Sequence, residues 1–276
     1  MIEFPEAATI ALQMSTALQG KQIKSAIRGN APHRFAFYTR QPEEYATILR
    51  DKKVGESVAN GSMIVTSIEP GHVLVLGEGG ERILFHRNDK ALPQKHQLLL
   101  HFTDDTYLTV TVQGWGSLRL LEQSEAATHP VVGKTGVSPL DKAFTLEYFQ
   151  SLFEKLAEQD PRSIKFFIIS DPGIWGVGNG YLQDVLFRAG VHPKRRSIDV
   201  SHEEKTKLHR AIGETLKRAV ELGGRDTEHD LFNKAGRYQR ILNSKKAGKP
   251  CPVCGTPIEK IQYLGGTSYF CPRCQT

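Results

Sequence analysis

The 276-residue chain is long enough for one large domain or two ordinary ones, each able to bury a core. Lys and Arg number 36 against 30 Asp and Glu, a formal charge of +6, and no apolar run approaches the ~18 residues of a membrane span, which excludes a helical membrane protein. The basic excess is local: between positions 188 and 249, sixteen Lys/Arg stand against eight Asp/Glu, which suits phosphate neutralisation or a plain solvated helix surface.

In chain order, residues 1–125 read mainly as strands behind one leading helix, whose spacing covers residues 6–18. Short apolar runs follow at 35–38, 63–66, 73–76, 82–85, 97–102 and 107–112, with 118–121 closing the series. Turn residues separate them, as at Glu69-Pro-Gly71, Gly77-Glu-Gly-Gly80 and Asp104-Asp105. Many short strands punctuated in this way predict a β-sandwich or barrel. Residues 126–144 carry Pro130, Gly133, Gly136 and Pro139 and read as a linker. Beyond them the period turns helical. Thr145 is placed to cap a helix reaching about residue 158, with Glu147 in its first turn. Ser201-His-Glu-Glu204 is a capping box. The helix it opens puts Leu208, Ile212, Leu216 and Ala219 on one face and stops at Gly223-Gly224.

All four cysteines lie near the end, as Cys251-Pro-Val-Cys254 and Cys271-Pro-Arg-Cys274 with sixteen residues between. Two such knuckles can set four thiolates around one tetrahedral zinc at roughly 2.3 Å, and a closed four-sulfur shell is structural rather than catalytic. The other use of four cysteines is a pair of disulfides in a secreted protein. The start of the chain does not read as a signal peptide, so one structural Zn2+ and an intracellular setting are expected. A terminal zinc hairpin on a basic chain points to nucleic acid as a partner.

The stretch Ile174-Trp-Gly-Val-Gly-Asn-Gly-Tyr181, followed by Leu186-Phe-Arg-Ala-Gly-Val-His-Pro193, offers a small-residue turn that lets backbone approach a row of phosphates, with Asn179 as a side-chain donor. Taken alone, a Gly-x-Gly turn is more commonly a helix cap. With its flanks it resembles the helix–two-turn–helix of the Fpg/Nei DNA glycosylases. The opening Met1-Ile-Glu-Phe-Pro-Glu6 resembles the family's Met-Pro-Glu-x-Pro-Glu, and Pro93-Gln-Lys-His96 matches a pattern of its β-domain. The terminal Tyr269-Phe-Cys-Pro-Arg-Cys-Gln275 resembles its zinc finger. The resemblance implies an α+β chain with an N-terminal β-sandwich (1–125), a linker (126–144), a helix–two-turn–helix domain (145–245) and a zinc finger (246–276). It implies a monomer in the cytoplasm, associated with the nucleoid, binding damaged double-stranded DNA in a basic cleft. A flexible segment is implied after Gly223-Gly224.

In that family an N-terminal proline attacks the sugar C1′ of an extruded nucleotide and forms a Schiff base, and the following glutamate handles protons. Here Glu3 and Glu6 keep the family's two glutamates, but Ile2 stands in place of the proline. Ile2 is too large to favour removal of Met1, whose amine is then one residue out of register. The resemblance makes Met1, Ile2, Glu3 and Glu6 the catalytic candidates. It makes Gly176, Gly178, Asn179 and Lys165 the candidates for DNA-backbone contact. By register His72 takes the place of a phosphate-contacting lysine, as a pH-dependent contact or as an idle turn histidine. Gly266 stands where the zinc finger should carry a phosphate-gripping arginine. His86-Arg-Asn-Asp89 replaces the void-filling loop, and Val112-Gln-Gly-Trp-Gly116 the segment that reads the orphaned base, with Trp115 either a stacking wedge or core filling. Three readings follow: a divergent glycosylase using Glu3 with weak or no strand cleavage, a catalytically silent binder of damaged, abasic or branched DNA, and an RNA- or ribosome-associated protein, against which the Glu-x-Pro-Glu opening argues.

Overall fold

The computed structural model describes residues 1–276 and divides into two compact units. Unit 1 comprises residues 1–135 and 222–238, and unit 2 comprises residues 136–221 and 239–276.

Unit 1 is a β-sandwich. Its leading helix α1 (Phe4–Leu18) begins earlier than the apolar spacing suggests, because Glu3 and Glu6 close a capping box. Pro5 sits in the first turn, where a missing N–H breaks no helical bond. The strands are β1 (Ile23–Ile27), β2 (Ala36–Phe37), β3 (Lys53–Asn60), β4 (Met63–Glu69), β5 (His72–Gly77), β6 (Glu81–His86), β7 (Leu98–Phe102), β8 (Tyr107–Val112) and β9 (Gly116–Glu122). They form a four-stranded sheet in the order β1-β7-β8-β6 and a five-stranded sheet in the order β2-β9-β5-β4-β3. Ile64, Leu74, Leu76, Leu118 and Leu120 from one sheet share a core with Ile23, Ile83, Leu98, Leu100, Phe102 and Val110 from the other. The α1 face of Ile10, Met14 and Leu18 joins the same core.

Strands β1 and β3 and a helix before β3 are additions to the sequence reading. β1 and β3 mix apolar with charged and polar residues and are half exposed, so they show no clean alternation. The short helix α2 (Pro42–Leu49) buries Tyr45 and Leu49. Its usable signal was local: Pro42 at the helix start with Glu44 reaching back to the Gln41 N–H at 2.7 Å.

The segment after Gly223-Gly224, expected to be flexible, is instead built into the sandwich. Phe85 N–H at the edge strand β6 donates to the Leu231 carbonyl at 2.9 Å. Leu231 is fully buried in the sandwich core. Leu231 N–H donates to Gln13 Oε1 at 3.0 Å, and Gln13 Nε2 donates to Asp230 at 2.9 Å. An open sheet edge and a buried apolar side chain supply the physical reason: the returning chain bonds to the edge and seats Leu231 in the core.

Unit 2 carries α4 (Leu146–Glu154), α5 (Ile164–Ile169), α6 (Asn179–Ala189) and α7 (His202–Glu221), after the short α3 (Gln123–Ala126) of unit 1. Thr145 caps α4 by accepting from Tyr148 N–H at 3.1 Å, and α4 stops at Glu154. Ser201 and Glu204 close the expected capping box, at 3.2 and 2.7 Å. Phe153 stacks on Phe167, and α6 packs on α7. The terminal hairpin pairs β10 (Glu259–Tyr263) with β11 (Gly266–Phe270) through a Leu264-Gly265 turn. No helix is long and apolar enough to cross a membrane.

Candidate functional site

The four cysteine sulfurs lie within 4.8 Å of one another. Cys251 and Cys274 are 3.9 Å apart, and Cys254 and Cys271 3.4 Å. A tetrahedron with ~2.3 Å metal–sulfur bonds has sulfur–sulfur edges of about 3.8 Å, so the donor set fits one zinc. A hydrogen bond with Thr256 draws the Cys254 thiol down to about 6. Its hydrogen bond to Cys254, then burial, pushes the Cys274 thiol up to about 12. Four sulfurs this close resist losing all their protons, and a dication is what lets every one ionise. Val253 N–H and Cys274 N–H donate to Cys251 and Cys271 at 3.4 Å each, orienting the sulfurs. A small core of Leu242, Ile258, Cys251 and Cys271 backs the centre.

Unit 2 also holds five residues that the sequence singled out: Lys165, Gly176, Gly178, Asn179 and Gly266. Gly176 takes φ +77° in the turn before α6, Gly178 is the N-cap, and Asn179 opens the helix. Asn179 Nδ2 donates to the Thr267 carbonyl of the hairpin at 3.3 Å. A Cβ on Gly266 would lie 3.3 Å from Asn179 Nδ2 and 3.9 Å from Lys165 Nζ. Lys165, the other backbone-contact candidate of this unit, lies under the hairpin. Its side chain is fully buried, and its ammonium donates to the Tyr263 carbonyl at 2.7 Å and Ser268 Oγ at 3.0 Å, so it braces the hairpin. Burial lowers its pKa. Gln183, which the sequence reading missed, adds bonds to the Thr267 carbonyl at 3.0 Å and from Tyr269 N–H at 2.8 Å.

The catalytic candidates meet in unit 1, on the start of α1. Ile2 is buried and donates its N–H to the Gly79 carbonyl at 2.7 Å, as an added strand residue would. Glu3 and Glu6 are both 3 % exposed. Between them lies the guanidinium of Arg225, which donates to Glu3 at 3.0 Å and to Glu6 at 3.2 Å. It also donates to the Met1 carbonyl at 2.5 Å. The Met1 ammonium pairs with Glu228 at 2.8 Å. A polar cavity of about 140 Å³ opens beside Met1, lined by Arg82, Gln113, Thr227, Glu228 and His229. Beneath the Gly79–Gly80 turn, burial pushes the Glu81 carboxyl up to about 7. Arg225 and Glu228 carried no readable signal, being single charges in a basic stretch with ordinary spacing.

His72 opens β5 with Ile68 and Glu122 as its ladder neighbours, its ring facing the Pro70 carbonyl at 3.3 Å. Trp115 is 38 % exposed, at the turn before β9. His96 is buried with Nε2 unpartnered, while its backbone N–H donates to the Asn30 side chain at 3.0 Å.

Comparison with known proteins places this arrangement. Residues 135–230 match the formamidopyrimidine-DNA glycosylase H2TH domain, and residues 248–276 match the zinc finger found in FPG and IleRS. A formamidopyrimidine-DNA glycosylase of Listeria innocua is 30 % identical over 281 residues, covering 100 % of both chains. One of Marinobacter nauticus is 30 % identical over 287 residues with the same coverage. Among solved structures, a Lactococcus lactis Fpg in complex with an abasic site containing DNA superposes with a TM-score of 0.87 over 99 % of each chain, at 23 % identity. The same fold, the two matched family segments and the full-length relatives agree: this chain belongs to the Fpg/Nei family of formamidopyrimidine-DNA glycosylases, and its four cysteines form the family's structural zinc site.

Proposed function

We propose that this chain binds damaged double-stranded DNA as a monomer and hydrolyses the N-glycosidic bond of an extruded base with Glu3, with little or no cleavage of the strand. The observation that carries the reading is the pairing at the N-terminus. The Met1 amine is held by Glu228, whereas Glu3 is a buried carboxylate at a helix start with a guanidinium on one oxygen. An ammonium in an ion pair is a poor nucleophile, and a fixed carboxylate suits a base or an electrostatic stabiliser.

In the reaction so assigned, the C1′–N bond breaks as positive charge builds on the sugar, facing Glu3. Water oxygen bonds to C1′, Glu3 accepts the water proton, and that proton passes to the departing base nitrogen. Such acid–base assistance contributes roughly 10²–10⁴-fold. The solved relatives carry DNA with abasic and damaged sites, which supports the same partner here. On this reading the turn through Gly176, Gly178 and Asn179 approaches the DNA backbone, and His72 of the sandwich makes a separate phosphate contact. The domain roles follow: sandwich for chemistry, helix–two-turn–helix and zinc finger for grip, in a nucleoid setting.

A second reading, a silent binder of damaged, abasic or branched DNA, is favoured by one observation. Arg225 and Glu228 engage the amine and both carboxylates, and Gly266 supplies no phosphate-gripping side chain. Oligonucleotides bearing an oxidised purine, an oxidised pyrimidine or an abasic site, with and without borohydride, decide between the two. Base release without a trapped adduct is the expected result. A trapped adduct overturns the account of the terminus, and retention of abasic DNA without base release supports the binder.

A further inference from the structure

The carboxylate central to that reading is held by more than its helix. The Arg225 side chain is 4 % exposed and reaches three parts of the N-terminus: Nη1 to Glu3 Oε1 at 3.0 Å, Nε to Glu6 Oε1 at 3.2 Å, and Nη2 to the Met1 carbonyl at 2.5 Å. Its own backbone N–H donates to Glu6 Oε1 at 3.0 Å. Glu6 Oε2 receives Glu3 N–H at 3.1 Å and Arg225 Nη2 at 3.4 Å. Glu6 therefore has both oxygens committed, as an anchor. The backbone reaches this point through Gly224, at φ +89°, where a Cβ would stand 2.9 Å from Glu6 Oε1. Only glycine allows so close an approach in that conformation.

A carboxyl buried without a cation drifts toward its neutral form, and a neutral acid cannot take a proton from water. A guanidinium stays charged at every working pH, and its planar fork fixes direction as well as charge. The partial positive charge at the start of α1 acts in the same sense on Glu3. We infer that Arg225 is a positioning residue for the Glu3 reaction: seated on Glu6, it fixes the orientation of the Glu3 carboxyl. This inference rests on the glycosylase reading.

A double-mutant cycle on the full chain tests it, using Glu3→Gln, Arg225→Met, Arg225→Lys and the double variant Glu3→Gln/Arg225→Met. Single-turnover base release is measured beside binding to an abasic-site oligonucleotide and thermal unfolding. Arg225→Met lowers the release rate about tenfold or more with abasic-site affinity unchanged, and costs nothing further in the Glu3→Gln background. Arg225→Lys recovers part of the rate. Equal loss in the wild-type and Glu3→Gln backgrounds, or affinity falling in step with rate, overturns the inference and leaves Arg225 a structural residue. Should Arg225→Met fail to fold, the cycle is read in the same way with Arg225→Lys. Wild-type protein that releases no base from any lesion sinks the glycosylase reading itself, an outcome distinct from equal losses in an active enzyme.

Discussion

The carboxyl of Glu81 lies under the Gly79–Gly80 turn, accepting N–H bonds from Gly79 at 2.9 Å and Ser117 at 2.5 Å. Those donors favour the charged form, but desolvation outweighs them and raises the carboxyl from 4.5 to about 7. The folded chain thus keeps a proton that the unfolded chain has released. The stabilisation is complete below about pH 4.5 and is lost as pH rises through 7, a swing of about 3 kcal/mol if unshared. Urea unfolding at pH 4.5, 6 and 8 reads the slope, and Glu81→Gln is expected to flatten it whatever it does to absolute stability. An unchanged slope in the variant refutes the assignment. Legibility at this scale was uneven. Glu3 and Glu6 were visible because a terminal Glu-x-Pro-Glu is a pattern, whereas Arg225, about 220 positions away, meets them only through the fold.

The zinc hairpin is the element whose meaning the structure altered most. Its strands have few buried apolar residues of their own, and Lys165, Asn179 and Gln183 hold them from one side. Such a hairpin depends on its metal, since metal binding and folding are one equilibrium for so small a core. Chelation is expected to abolish protection of the Tyr269 amide, whose N–H donates to Gln183 at 2.8 Å, while the α7 amides stay slow to exchange. Protection of Tyr269 persisting after zinc removal contradicts this. The cysteines could be read directly, because two Cys-x-x-Cys knuckles have few other uses. Thr145 and Ser201 were readable as caps for the same local reason. The buried Lys165 was not, since its aliphatic length and inward ammonium answer to a carbonyl about 100 residues away.

For the molecule as a whole, short apolar runs and turn residues sufficed for a sandwich or barrel, the family resemblance narrowed that to the sandwich, and helical spacing sufficed for the second unit. What they could not supply was the return of residues 222–238 to the strands, because its contacts pair position 231 with positions 13 and 85. Local patterning holds no information at such separations. The return makes unit 1 discontinuous in sequence, with the sandwich completed only after α7 has been made. Leu231 carries the energetic weight of that closure, being fully buried among the core residues, whereas its neighbour Phe232 is 44 % exposed. Leu231→Ala is therefore expected to destabilise unit 1 by about 2–5 kcal/mol and to open residues 222–238 to proteolysis. Phe232→Ala should cost far less and leave the segment resistant. If both variants unfold and are cut alike, the segment is only laid against the sheet. If Leu231→Ala alone releases it, the closure that brings Arg225 to Glu3 is part of the sandwich core, and base release should fall with it.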